Sequence, residues 1–313
     1  MDQKLYVSSS PHIRQGDTTK KIMLDVIIAL IPVVFASVII FGPRSLIVML
    51  VTVAVSVFSE YICRKVMKRE NTISDLSAVV TGLLLALNLP VNINLSIAAF
   101  GAVVAIVVVK QMFGGIGQNF VNPALAARIV LMVSFPGEMT SWTKPFTRPD
   151  AIIDATTTAT PLAIKEAGEA VPSYLRLLFG IHGGCLGETC AFAIILGGIY
   201  LVHKNIIKPL IPLSYIGTVV IIALLAGEDP IYHVLSGGLL LGAIFMATDY
   251  TTSPLSFRGK IVFGVGCGIL TMLIRLFGAL PEGVSFSIII MNILVPHIER
   301  FTVPKPYGVV KKR

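Results

Sequence analysis

Charge is what this sequence has least of. Only 13% of its 313 residues are Asp, Glu, Lys or Arg, against about 25% in a soluble domain. Metal-ligand patterns are missing as well. The five His show no ligand spacing, and the four Cys (Cys63, Cys185, Cys190, Cys267) are scattered. Cys185 and Cys190 are the one close pair, and their separation matches no common zinc or iron–sulfur pattern. They read as buried or interfacial free thiols. No Gly-rich loop has Walker or dinucleotide spacing after a strand, which argues against nucleotide hydrolysis. A cleavable leader is not expected: Met1 to Lys21 is polar, and the apolar run that follows is too long for a signal h-region.

What the sequence does have is apolar length. Hydrophobic residues make up 55% of it, and the mean hydropathy is +0.85. A membrane-spanning helix needs roughly 20 mostly apolar residues. About ten runs qualify, some of them short: 22–42, 45–62, 75–89, 93–109 and 121–136, then 187–202, 209–226, 231–248, 260–277 and 283–298. The expected fold is an all-α polytopic membrane protein with about ten transmembrane helices. An odd number of spans on each side of a central polar interval predicts two inverted five-helix repeats. The expected division is a cytoplasmic arm (1–21), a first half (22–136), an extracytoplasmic loop (137–186), a second half (187–299) and a basic cytoplasmic tail (300–313).

The net charge of +8 is explained by where the basic residues sit. With the N-terminus inside, most Lys and Arg fall in cytoplasmic segments. Outside fall Arg44, Lys144, Arg148, Lys165, Arg176 and Arg275. That bias orients both termini inward and leaves the central loop outside. The basic balance is membrane orientation in a lipid bilayer, not nucleic-acid binding.

Several spans are broken by polar residues. The third ends at Asn88-Leu89-Pro90, the fifth opens with Val121-Asn122-Pro123, and the eighth ends at Thr248-Asp249. Exposed backbone at such breaks is tolerated only inside protein or beside a polar cavity. Asn88, Asn122, Thr248 and Asp249 are therefore candidates for an ion or second-cofactor pocket. Arg128, within the fifth span, joins them. A mid-membrane Arg costs roughly 2.5–3.5 kcal/mol on insertion scales, so it faces either a structural partner or a bound anion. Asp249 and the hydroxyls after it read as a helix cap at the inner face. Asp25 and Glu60 lie near span boundaries and read as solvated or snorkelling.

The polar interval centres on Asp154-Ala155-Thr156-Thr157-Thr158-Ala159-Thr160-Pro161. Taken alone, this is Thr-rich turn chemistry. Asp154-x-x-Thr157-Thr158-Ala159-Thr160 also resembles the flavin-transferase motif Asp-x-x-(Ser/Thr)-Gly-Ala-Thr. Around it, Asn122-Pro123-Ala124, Gly187-Glu188-Thr189, Met246-Ala247-Thr248-Asp249, Arg258-Gly259-Lys260 and Pro281-Glu282-Gly283 look familiar too. Together they resemble the family formed by the D subunit of the Rnf ion-translocating oxidoreductase and the B subunit of the sodium-translocating NADH:quinone reductase. The likeness covers essentially the whole chain, and its length favours the Rnf branch.

The resemblance implies FMN joined covalently to Thr160 through a phosphoester. Asp154, Thr157 and Ala159 would be the attachment motif read by a flavin transferase. It implies a second, non-covalent flavin such as riboflavin, and the A, B, C, E and G subunits of the Rnf complex as partners in a bacterial cytoplasmic membrane. It implies electron transfer between ferredoxin and NAD coupled to Na⁺ or H⁺ translocation. No residue here is expected to be catalytic alone. The competing expectation is a secondary transporter or channel with inverted repeats and no redox role. One position departs from the motif: Thr158 stands where the family has Gly.

Overall fold

The computed structural model describes residues 18–146, 158–168, 171–278 and 283–303. Asp154 and Thr157 lie outside the described residues. Within them the chain is helical, with no β-strand.

Four helices are long and apolar enough to cross a membrane: α1 (Thr19–Phe41), α2 (Pro43–Val66), α13 (Phe257–Phe277) and α14 (Val284–Thr302). At 1.5 Å per residue, the 23 residues of α1 reach roughly 35 Å, more than the ~30 Å of bilayer hydrocarbon. Side chains such as Phe35, Leu50, Leu225 and Phe277 point away from the core. This outward apolar coat fits lipid as the surrounding solvent, since a soluble protein limits such patches.

Between α2 and α13 the apolar runs fold as shorter pieces. The first half adds α3 (Ser77–Leu87), α4 (Leu95–Val103), which continues as a π-helix Val104–Gln111, and α5 (Pro123–Ser134). A short α6 (Pro136–Met139) follows. The central polar interval holds α7 (Pro161–Glu166) and α8 (Tyr174–Phe179). The second half contains α9 (Ala191–His203), α10 (Leu210–Leu225), α11 (Pro230–Leu235) and α12 (Leu239–Leu241), which continues as a π-helix Gly242–Met246.

The helix starts follow local chemistry. Thr18 caps α1, Asn94 caps α4, Asn122 caps α5, Thr160 caps α7 and Ser256 caps α13, each accepting from a backbone N–H in the first turn. Pro at the first position assists α2, α5 and α7. The cap of α13 is therefore Ser256, not Asp249. Asp249 instead accepts from the hydroxyls of Thr251 (2.9 Å) and Thr252 (3.2 Å) within its turn.

The third, fifth and eighth runs are the broken ones. The 11 residues of α3 rise only about 16 Å. All but Val79 of α3 are buried, so it is wrapped by protein and its open C-terminal end is sealed by neighbours. Leu87 O accepts from Gly187 N (2.7 Å) and Leu89 O from Leu186 N (3.0 Å). Those bonds answer the exposed backbone that a break creates in a membrane.

Packing joins the two halves. α1 lies against α9, α2 against α3 and α4, α10 against α13, and α5 against α14. The α1–α9 contact is close because Gly197 has no side chain: a Cβ there would lie 2.2 Å from Ala29 O. Small residues allow such approaches between membrane helices.

Two charges expected near span boundaries are buried. Glu60 is 1% exposed and Lys110 3%. Lys110 Nζ donates to Glu60 Oε2 at 2.9 Å, and Gln111 Nε2 donates to Glu60 Oε1 at 2.8 Å. Thr72 completes the carboxylate's partners. Glu60 is thus a buried ion-pair member, not a solvated or snorkelling acid. An isolated charge there would be too costly to keep. Asp25 is half-buried and accepts from Tyr200 OH at 2.8 Å.

Candidate functional site: a threonine loop, a buried polar cluster and a cavity at the opposite end

The candidate residues fall into three groups along the axis of α1. At its Phe41 end lies the threonine loop. Phe146 N donates to Ile40 O (2.8 Å), and Thr158 N donates to Trp142 O (3.0 Å). The loop is therefore tied to the end of the molecule opposite Thr19.

Thr160 is 3% exposed and sits in extended backbone just before α7. Its Oγ1 accepts from Ala163 N at 3.3 Å. Ala159, beside it, is exposed. α7 is held down at several points. Tyr232 OH donates to Pro161 O, and Lys165 Nζ bridges to the Glu228 carboxylate and lies 3.2 Å from His233 Nε2. Leu162, Leu177 and Tyr232 form a small apolar cluster beneath. Lys165 holds the Glu228 carboxyl below its ordinary range by hydrogen bonding, against the opposing pull of burial.

The residues around the loop fit a phosphate-linked group at Thr160. The Thr158 hydroxyl is buried and has no hydrogen-bond partner among the described residues. Facing it is Gly183, where a Cβ would lie 2.4 Å from Thr158 Oγ1. The loop thus offers a spare donor, whose oxygen occupies the position that a side chain at 183 would take.

The second group is the polar cluster between the halves. Arg128 on α5 donates to Asn88 Oδ1 (2.7 Å), Glu188 Oε1 (2.6 Å) and Cys185 Sγ (3.5 Å). Arg128 and Glu188 are each 2% exposed. Between the two expectations for Arg128, the structure shows the structural partner. Glu188 carries no local signal for this pairing, being one acid beside an apolar run. All four cysteines are free and buried, as expected.

The third group surrounds the Thr19 end of α1. A cavity of about 390 Å³ opens there, lined by Thr19, Ser77, Lys110, Asn122, Thr248 and Asp249 among others. It brings together three of the five candidate pocket residues. Asn88 and Arg128 belong to the polar cluster instead. Met246 connects the two: Asn88 Nδ2 lies 3.6 Å from its Sδ, and Asn122 Nδ2 donates to its carbonyl at 3.3 Å. With its amide turned so that both ends are satisfied, Asn292 donates to Thr252 O (3.2 Å) and accepts from the backbone N–H of Asn122 (3.1 Å), which lines the cavity. Lys110 falls at the end of an apolar run, where a cytoplasmic loop charge is expected. It lies instead buried in the π-helix, and its ammonium also donates to Ser77 Oγ at 2.6 Å. Both π-helical segments border this cavity, and such segments recur at functional sites. No cluster of metal-ligating side chains occurs among the described residues.

These features define a multi-pass helical membrane protein whose broken helices meet around a buried polar column. The chain belongs to the NQR2, RnfD, RnfE family, whose pattern matches residues 6–308. It is 51% identical over 311 residues to the D subunit of the Na⁺-translocating ferredoxin:NAD⁺ oxidoreductase complex of Acetobacterium woodii, covering 98% of this chain and 96% of that protein. It is 41% identical over 319 residues to the D subunit of the proton-translocating ferredoxin:NAD⁺ oxidoreductase complex of Clostridium ljungdahlii, covering 96% of each. With the D subunit of the ion-translocating oxidoreductase complex of Escherichia coli K12 it shares 33% identity over 344 residues, covering 96% of this chain and 98% of the other.

Proposed function

We propose that this chain is the D subunit of an ion-translocating ferredoxin:NAD oxidoreductase and carries FMN on Thr160. The observation that supports the FMN reading is a Thr160 hydroxyl fixed at the start of α7, two residues from a buried Thr158 hydroxyl that has no partner among the described residues. The subunit assignment is supported by three relatives bearing that name in different forms, each matched over nearly its whole length. Covalent FMN supplies one- and two-electron chemistry. This chain's own contribution is to anchor it, to fix the anchor through Tyr232 and Lys165, and to bury the attachment oxygen.

We extend the proposal to the topology. Both termini are cytoplasmic, the Thr160 loop is outside, and the membrane is the bacterial inner one. The two halves are inverted five-span repeats. In support, the broken ends of α3 and α12 meet through Asn88 and Met246, and α1 packs on its counterpart α9. The inner cavity would take the isoalloxazine of a non-covalent flavin. Its volume lies in the ordinary range for such ligands, and Asn122, Thr248 and Asp249 offer donors and acceptors at its rim. Other subunits of the complex and a flavin transferase are the expected partners. The named relatives move different ions, so likeness to them does not choose between Na⁺ and H⁺.

The test is in-gel flavin fluorescence of the denatured chain, co-expressed with a flavin transferase. A fluorescent band is expected that disappears in T160A and persists in T160S. A band undiminished in T160A moves the attachment elsewhere. No band at all in the unmutated chain leaves the broken-helix architecture to a transport role without covalent flavin.

A further inference from the structure

The one position at which the attachment motif departs from its pattern carries a second role. We propose that Thr158 is a ligand for the phosphate linking the flavin to Thr160, donating from Oγ1 to a non-bridging oxygen. The inference rests on FMN attachment at Thr160.

The Thr158 hydroxyl is buried and has no hydrogen-bond partner among the described residues. A native protein seldom leaves a buried polar group unpaired, since the hydration lost on burial is then not replaced. Its position is fixed, not frayed: Thr158 N donates to Trp142 O at 3.0 Å, and its Oγ1 packs over Gly183. Thr143, next to Trp142, has a second buried hydroxyl without a partner among the described residues. Two unsatisfied hydroxyls therefore flank the backbone bond that joins segment 141–143 to the attachment loop.

A phosphodiester is the chemistry that answers them. It carries one negative charge and two non-bridging oxygens that accept but never donate, and a hydroxyl can donate to either. Hydrogen bonds to a charged acceptor are about twice as strong as neutral ones. Thr160 Oγ1 accepts from Ala163 N and not from Thr158, and on attachment it becomes an ester oxygen, a weaker acceptor than the charged non-bridging ones. Gly183 fits the same account. A Cβ at 2.4 Å from Thr158 Oγ1 would displace that hydroxyl or fill the space beside it. In a chain with Gly at position 158 the phosphate would lack this donor.

The test is the ³¹P resonance of the attached phosphodiester in the full-length chain, co-expressed with its transferase, compared with T158V and T158S. In-gel flavin fluorescence verifies attachment in each. The resonance is expected to move by more than its line width in T158V and to return in T158S. If T158V carries no flavin, T158G takes its place, since it removes the hydroxyl without adding bulk. Attached flavin with an unmoved resonance in the variant lacking the hydroxyl overturns the inference and leaves the Thr160 reading intact. Absence of attached flavin in the unmutated chain overturns both. A steric check runs beside it: G183A is expected to lower the attached flavin, and G183A/T158G to restore it. Equal flavin in G183A and the unmutated chain would remove Gly183 from the site.

Discussion

Arg128 Nη1 lies 2.6 Å from Glu188 Oε1, and the pair joins α5 of the first half to the turn that opens the second. Both side chains are 2% exposed. Each charge depends on the other, because a single buried ion costs several kcal/mol. The same guanidinium group holds Asn88 at the broken end of α3. One residue thus ties together two broken helices and the turn that follows the threonine loop.

Breaking that pair is expected to destabilise the chain by about 3–5 kcal/mol. R128M and E188M should each lower the thermal midpoint of the solubilised protein. The double variant R128M/E188M should recover much of the loss, since apolar replacement of both partners is often neutral. A double-mutant cycle on the thermal midpoint measures this. Additive losses would show that the two charges do not act as a pair.

Glu60 and Lys110 make the same kind of pair near the cavity at the Thr19 end of α1. E60Q keeps the shape and one acceptor for Gln111 but leaves the Lys110 ammonium unpaired beside Ser77. K110M removes the need for the charge altogether. K110M/E60Q is expected to be more stable than E60Q alone, as read by resistance to thermal aggregation. Lys110 also lines the inner cavity, so any flavin released on denaturation should fall in K110M.

Docking of α7 should depend on pH. The Glu228 carboxyl titrates below its ordinary value of 4.5, because Lys165 donates to it. A carboxyl depressed by folding stabilises above its unfolded pKa, and that contribution disappears as pH falls through the folded pKa. Backbone exchange over residues 161–166, corrected for intrinsic rate, should be flat from neutral pH down to the ordinary carboxyl value of 4.5 and rise below it. In E228Q the rise should vanish, and protection should be lower throughout. Y232F, which removes the donor to Pro161 O, should raise exchange at every pH.

Gly197 sets the distance between α9 and α1. G197A would put a Cβ 2.2 Å from Ala29 O, and a backbone atom cannot rotate away. Overpacking of this kind costs about 1–3 kcal/mol. The expected result is a lower thermal midpoint and slower recovery of folded protein after membrane extraction. G217A, where a Cβ meets nothing within 4 Å, is the control and should be near neutral.

The sequence by itself determined the class of protein, the division into two apolar halves around a polar interval, and the positions of the breaks. It could do so because bilayer thickness imposes a length on every apolar run, and a broken run must carry Asn, Pro, Asp or Gly at its ends. Asn88, Asn122 and Thr248-Asp249 were legible for that reason. The motif at Thr160 was legible as a string of residues spaced closely along the chain.

Only the tertiary structure decided which of those polar residues meet. Asn122, Thr248 and Asp249 share the cavity at the Thr19 end of α1, whereas Asn88 and Arg128 belong with Glu188. It also decided that Glu60 and Lys110 are a buried pair, and that Thr158 faces Gly183. The physical reason is common to all of them. Hydropathy along the chain records whether a segment prefers lipid to water, but the partner of a buried charge or hydroxyl lies tens of residues away. Glu188 is 60 positions from Arg128 and Glu60 is 50 from Lys110, and nothing local at either end names the other.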